Sequence, residues 1–314
     1  AVFIAYGLLA IGSALAVAAS VVGGSFAGFC GAAFLIGWSG AAGHQYRFAA
    51  LEAVPATLAA RATSTLLLGG LLGAFIGPEL AVRGRWLLDT EFAGSFLLLA
   101  CCYCLGTAII GFHRDHHVAV ARHAEKGRPL AVIFRTPVIL LAVTASGLAY
   151  GVMSLIMTAT PISMHQHSGH SLEATKFVIQ SHIAAMYLPS LVYGTLSGQL
   201  GYKRMMWLGI LVLAACLAIA LTGIGFVHYW VALVLLGVGW NFLFLSGTNL
   251  LPSGYRPEEK FRVQAANDFT VFTVQAMVSL SSGWLLFHWH WQGLLWGCVP
   301  LMLVFALFLQ RVKL

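Results

Sequence analysis

The sequence is short of charge. Asp, Glu, Lys and Arg make up 9% of its 314 residues, against about 25% in a typical soluble domain. It contains no P-loop, so nothing points to an ATP-driven pump. It has neither G-x-S-x-G nor H-E-x-x-H, so hydrolytic chemistry has no home in it and no enzyme is expected. A secreted disulfide framework is also missing. The six cysteines, Cys30, Cys101, Cys102, Cys104, Cys216 and Cys298, all fall in apolar runs and read as reduced, buried thiols. The first residues lack the basic n-region and cleavage site of a signal peptide and read as a spanning helix. The sequence opens with Ala inside that helix, from which an earlier natural start is expected.

Hydrophobic residues instead make up 60% of the chain. A spanning helix needs about 20 mostly apolar residues. That rule gives about ten segments, near 1–22, 24–46, 62–82, 93–112, 137–158, 175–197, 205–224, 229–250, 264–287 and 292–311. The fold class expected is an all-α membrane bundle. The formal charge of +7 follows topology and does not predict nucleic-acid binding. With the first N-terminus in the cytoplasm, the inner connections hold every Lys and Arg except Arg83, Arg85 and Lys176. The longest connection, 113–135, is basic and cytoplasmic. It divides an N-terminal bundle (1–112) from a six-helix C-terminal bundle (136–314).

The stretch from Gly151 to Ser190 carries the most chemistry. Met153 and Met157 are four apart on one span, and His182 and Met186 are four apart on the next, so each pair shares a helix face. Thioether and imidazole suit Cu(I), and neutral ligands avoid the roughly 3 kcal/mol or more of an unpaired charge at mid-membrane. The outer loop between the spans adds Met164, His165, His167 and His170, a polar loop or an ion-capture cluster. Asp268 opens a later span, as a coupling carboxylate or as a group favoured by the helix's positive end. Copper is then the transported substrate, relayed by these ligands, with no resident cofactor.

Three stretches resemble the major facilitator superfamily. Gly194–Arg204, GTLSGQLGYKR, is similar to its G-x-L-x-D-R-x-G-R-K-R loop, with Gly198 and Gln199 at the Asp and Arg positions. Gly73–Pro78, GAFIGP, is similar to the G-x-x-x-G-P of the fifth helix, and Tyr46–Thr63 to the loop after the fourth. The resemblance implies helices three to twelve of a twelve-helix fold. Within it, the M-x-x-x-M and H-x-x-x-M pairs resemble the CcoA-like copper importers. That implies alternating-access copper import at a bacterial inner membrane, by a monomer that meets the lipid bilayer and a cytoplasmic copper chaperone. The G-x-x-x-G-P stretch supports an alternative, a proton-coupled antiporter of an organic solute such as a drug or siderophore, needing an acid such as Asp268. A membrane metal sensor, motivated by the His-containing 113–135 connection, is the third reading.

Overall fold

The computed structural model describes residues 2–43, 59–112 and 127–312. Residues 113–126 of the long connection and 46–58 of the third family-like stretch lie outside them. The described residues are helical, with no strand. Apolar sequence leaves a backbone with no other way to satisfy its N–H and C=O groups in lipid. The helices are α1 (Val2–Val22), α2 (Phe26–Gly43), α3 (Ala59–Gly84), α4 (Ala93–Gly111), the single turn α5 (Leu130–Ile133), α6 (Pro137–Ile162), α7 (Leu172–Tyr187), α8 (Ser190–Thr222), α9 (Phe226–Leu250) and α10 (Lys260–Arg311). Six of the described helices, α1, α4, α6, α8, α9 and α10, are long and apolar enough to cross a membrane.

Two of these elements hold the ends of separate spans. The α8 helix breaks at Gly201, whose φ of 77° is left-handed and suits glycine. The α10 helix breaks at His290 (φ 57°). The spans expected near 175–197 and 205–224 are therefore divided at Gly201, and those near 264–287 and 292–311 at His290. Because α10 starts at Lys260, Asp268 sits in its third turn and does not open the helix, which removes the reading of it as a group at the helix's positive end.

The chain forms two compact units, Ala1–Val120 and Ala121–Leu314. In the first, α1 packs against α2 and α4, and α3 against α4. In the second, α9 is the shared wall: it packs along α6, α7 and α8, while α6 also packs along α10. The buried core of this unit runs through Ile139, Val152, Ile156, Leu213, Leu233, Leu236 and Leu295. Of the six cysteines only Cys216 and Cys298 are buried; Cys30, Cys101, Cys102 and Cys104 are exposed, because the apolar runs that carry them face outward.

A buried ion pair fastens the entry of the second unit to the connection before α10. Arg128 donates from Nε to Glu259 Oε1 at 2.8 Å and from Nη2 to Oε2 at 2.7 Å. The backbone N–H groups of Arg128 and Arg256 each donate to the same carboxylate at 2.9 Å. The Arg128 side-chain bond, followed by these backbone donors, holds the Glu259 carboxyl well below the usual carboxylate range. A depressed folded value stabilises the fold fully above the ordinary value of 4.5, and this contribution is lost as pH falls through the folded value. Thermal unfolding of the purified protein is therefore expected to weaken progressively below about pH 4.5. Glu259→Gln should lower the midpoint at neutral pH and flatten that acid slope; an unchanged slope would refute the assignment.

Candidate functional site

The sulfur and imidazole groups of the Gly151–Ser190 stretch are not gathered at one point. Met153 is buried in the core of α6, with Ser154 Oγ 4.0 Å from its sulfur, and Met157 is half-buried. On α7, His182 is fully buried, and its ring is turned to α9, where Nδ1 donates to Leu233 O at 2.8 Å. Met186 is half-buried beside it on the same helix. The wall α9 packs extensively along both α6 and α7, and those two helices meet at most marginally. The close α7–α9 approach explains the orientation: a Cβ at Gly237 would come within 2.6 Å of His182 O, so only glycine lets the helices meet there. The helices that carry the two pairs each pack along α9 and barely touch one another, and among the described residues no bond or contact joins Met153 or Met157 to His182 or Met186.

The outer cluster is a stapled turn. Met164, His165 and His167 lie within a π-helical segment, Ser163–His167, at the end of α6, and His170 follows it. His165 Nδ1 bonds His170 O at 2.8 Å, His170 Nε2 bonds Ile224 O at 2.9 Å, and His167 Nδ1 lies 3.4 Å from Ile162 O. Ser163 and Ser168 share the hydroxyl of the buried Tyr229, and Met164 is fully buried. One nitrogen of each ring is engaged in this way, and these bonds fix the fold of the loop. Among the described residues, no group of three or more His, Cys, Asp or Glu is placed to hold a metal ion.

A different constellation stands out in the second unit. Trp240 and Phe244, one turn apart on α9, stack at 4.9 Å with an interplanar angle of 17°. Tyr150 of α6 meets both edge-on, at 5.2 and 5.1 Å, and meets Phe272 of α10 at 5.7 Å. Three helices thus contribute to one aromatic layer. Trp240 is 5% exposed and Phe272 36%, so the layer reaches from the interior to an accessible edge. Aromatic rings offer flat, polarised faces that favour offset and edge-on contact with other π systems.

Polar groups accompany the layer. Among the described residues, the buried atoms Trp240 Nε1, Asn241 Oδ1, His182 Nε2, Ser146 Oγ and Thr248 Oγ1 have no hydrogen-bond partner. Burial of such groups unpaired is costly, so each is suited to bond a water or a bound solute. Their register is informative. Ser146 lies four residues before Tyr150 on α6, Thr248 four after Phe244 on α9, and Asp268 four before Phe272 on α10. By chain direction all three lie on the same side, toward the end that carries Arg135, Arg256 and Lys260. One turn is about 5.4 Å. A polar layer holding Asp268 therefore follows the aromatic one, on the basic side of the membrane. Asn267 Nδ2 donates to Asp268 Oδ1 at 3.1 Å and orients it.

The aromatic layer went unread in the sequence because single aromatics are common in apolar helices. Its one local sign is the run Trp240-Asn241-x-x-Phe244, a polar amide inside a span. A separate cleft of about 590 Å³ lies between α6 and both parts of α10, lined by Leu148, Gly151, Val278, Cys298 and Phe305 among others. It is almost wholly apolar, with Thr144, Thr270 and Cys298 the polar residues of its lining.

Comparison with known proteins agrees with a transporter. The model of the Major Facilitator Superfamily matches residues 1–277. A riboflavin transporter of Brucella anthropi is 36% identical over 300 residues, which is 94% of this chain and 75% of that protein. Two uncharacterized MFS-type transporters of Bacillus subtilis are 34% and 32% identical over 76% and 78% of the chain. The chain spans 57% and 60% of the length of those two relatives.

Proposed function

Because the chain belongs to the major facilitator superfamily, a family of multi-pass membrane transporters, we propose that it is a proton-coupled carrier of a planar heteroaromatic solute, with riboflavin as the first candidate. The observation that carries this reading is the aromatic layer of Tyr150, Trp240, Phe244 and Phe272 with Asp268 one turn beyond it. A flat ring system inserts among such faces. The unpaired polar atoms beside it answer the heteroatoms and hydroxyls of the cargo. A carboxylate within a span costs several kcal/mol when charged and unpaired, which makes it a natural proton carrier. The similarity to a riboflavin transporter supports the same class of cargo. A bacterial inner membrane is the expected site of action.

This reading replaces copper with an organic solute. The one relative above whose cargo is named is a riboflavin transporter, and the thioether and imidazole pairs lie on helices, α6 and α7, that barely touch. The test is uptake of radiolabelled riboflavin and of radiolabelled copper into proteoliposomes holding the full protein. Saturable riboflavin uptake that responds to an imposed pH gradient is expected, with no copper accumulation. Copper uptake without riboflavin uptake would overturn the proposal.

A further inference from the structure

The span expected near 175–197 bends at Pro189 and ends at Gly201, which leaves a helical rod between the two points. The first bend is a kink between Tyr187, where α7 ends, and Ser190, where α8 begins; Leu188 and Pro189 keep helical dihedrals. Pro189 causes it, since it has no N–H to give to Ala185 O and its ring disfavours a continuing helix. The second is Gly201, in the left-handed region. Ser190–Leu200 is thus a length of eleven residues, about 16 Å, with a pivot at each end.

Its neighbours are each tied to another helix. The outer arm, α7, is tied to α9 by His182 Nδ1 to Leu233 O and by Trp230 Nε1 to Ser181 Oγ at 3.0 Å. Beyond Gly201, Lys203 Nζ donates to Val312 O at 2.6 Å and to Gln310 O at 3.3 Å, which fixes the ninth span to the end of α10. The rod itself is held by Tyr193 to Ser246 and by Asn241. Much of its surface is loosely packed: Leu191 and Val192 are exposed, and a Cβ at Gly194 or Gly198 would meet nothing within 4 Å.

Asn241 joins the two sides of the first bend. Its Nδ2 donates at 2.7 Å to Met186 O on the outer arm and at 2.7 Å to Ser190 Oγ on the rod. Its Oδ1 is buried with no partner. A latch satisfied at one end only is the kind of group that a second arrangement can pair better. We propose that Ser190–Leu200 swings as a unit about Pro189 and Gly201 during the transport cycle, and that Asn241 is the positioning residue that latches it in the arrangement seen here.

The test needs no cargo, so it stands apart from the choice of solute. Spin labels are placed at Gln199→Cys on the rod and Ser253→Cys beyond α9, with the exposed cysteines Cys30, Cys101, Cys102 and Cys104 changed to Ser. The distance between labels is read in lipid nanodiscs. A swing of about 20°, the scale of a sharp helix kink, moves the far end of the rod by about 6 Å. Asn241→Leu should add a population displaced by about that amount. Pro189→Ala, which restores the missing N–H, should narrow the distribution to one distance, alone or combined with Asn241→Leu. An Asn241→Leu distribution equal to that of the unaltered protein would overturn the proposal. Should Asn241→Leu fail to fold, an unchanged distribution in Pro189→Ala overturns it equally.

Discussion

Asp268→Asn is expected to abolish uphill accumulation of the cargo while leaving its exchange across the membrane intact. The reasoning is energetic. One proton moving down 100 mV supplies about 2.3 kcal/mol, enough for a cargo gradient of roughly 50-fold. A carrier that loses its proton-binding group loses that drive and becomes a facilitator, with a gradient of one. Asparagine keeps the shape and polarity of the site, so binding of the aromatic cargo one turn away on α10 persists. The measurement is paired: net uptake under an imposed pH gradient, and counterflow of labelled riboflavin into vesicles preloaded with unlabelled riboflavin. Loss of the first with retention of the second is the expected outcome. Retention of both would remove Asp268 from the mechanism and leave proton coupling without a carboxylate on this layer.

Hydropathy and the Lys/Arg distribution made the spans legible, because membrane insertion acts on each helix by itself. The segment expected at 137–158 became Pro137–Ile162, and that at 229–250 became Phe226–Leu250. What one-dimensional periodicity does not carry is which helix lies beside which. Met153 with Met157, and His182 with Met186, share helix faces as their spacing requires. Yet α9, from later in the chain, packs along both helices, and its Leu233 carbonyl takes the imidazole proton. The aromatic layer has the opposite history. Tyr150, Trp240 and Phe272 come from three segments of about 30 to 90 residues apart in the chain, each unremarked alone, and only tertiary packing joins them. Asp268 was noticed as a charge in a span, but its depth depended on a helix start at Lys260, four residues before the hydropathy segment begins.

Trp240→Ala is expected to weaken cargo binding by roughly 5- to 150-fold, the equivalent of about 1–3 kcal/mol for a lost aromatic stack. Trp240 is the most telling position because it serves two roles. Its ring stacks on Phe244, and its Nε1 is a buried donor with no partner among the described residues. Trp240→Phe separates them, since it keeps a π face and removes the N–H. If stacking dominates, Trp240→Phe binds nearly as well as the unaltered protein; if the donor reads a cargo acceptor, it loses affinity by about tenfold. Flavin fluorescence quenching on titration into purified protein measures both. Trp284 is the control: it stacks on His288 and is 57% exposed, away from the aromatic layer. Trp284→Ala should leave the dissociation constant unchanged. Equal losses at Trp240 and Trp284 would mean that the aromatic layer acts only through the stability of the bundle, and the assignment of the cargo site to it would fail.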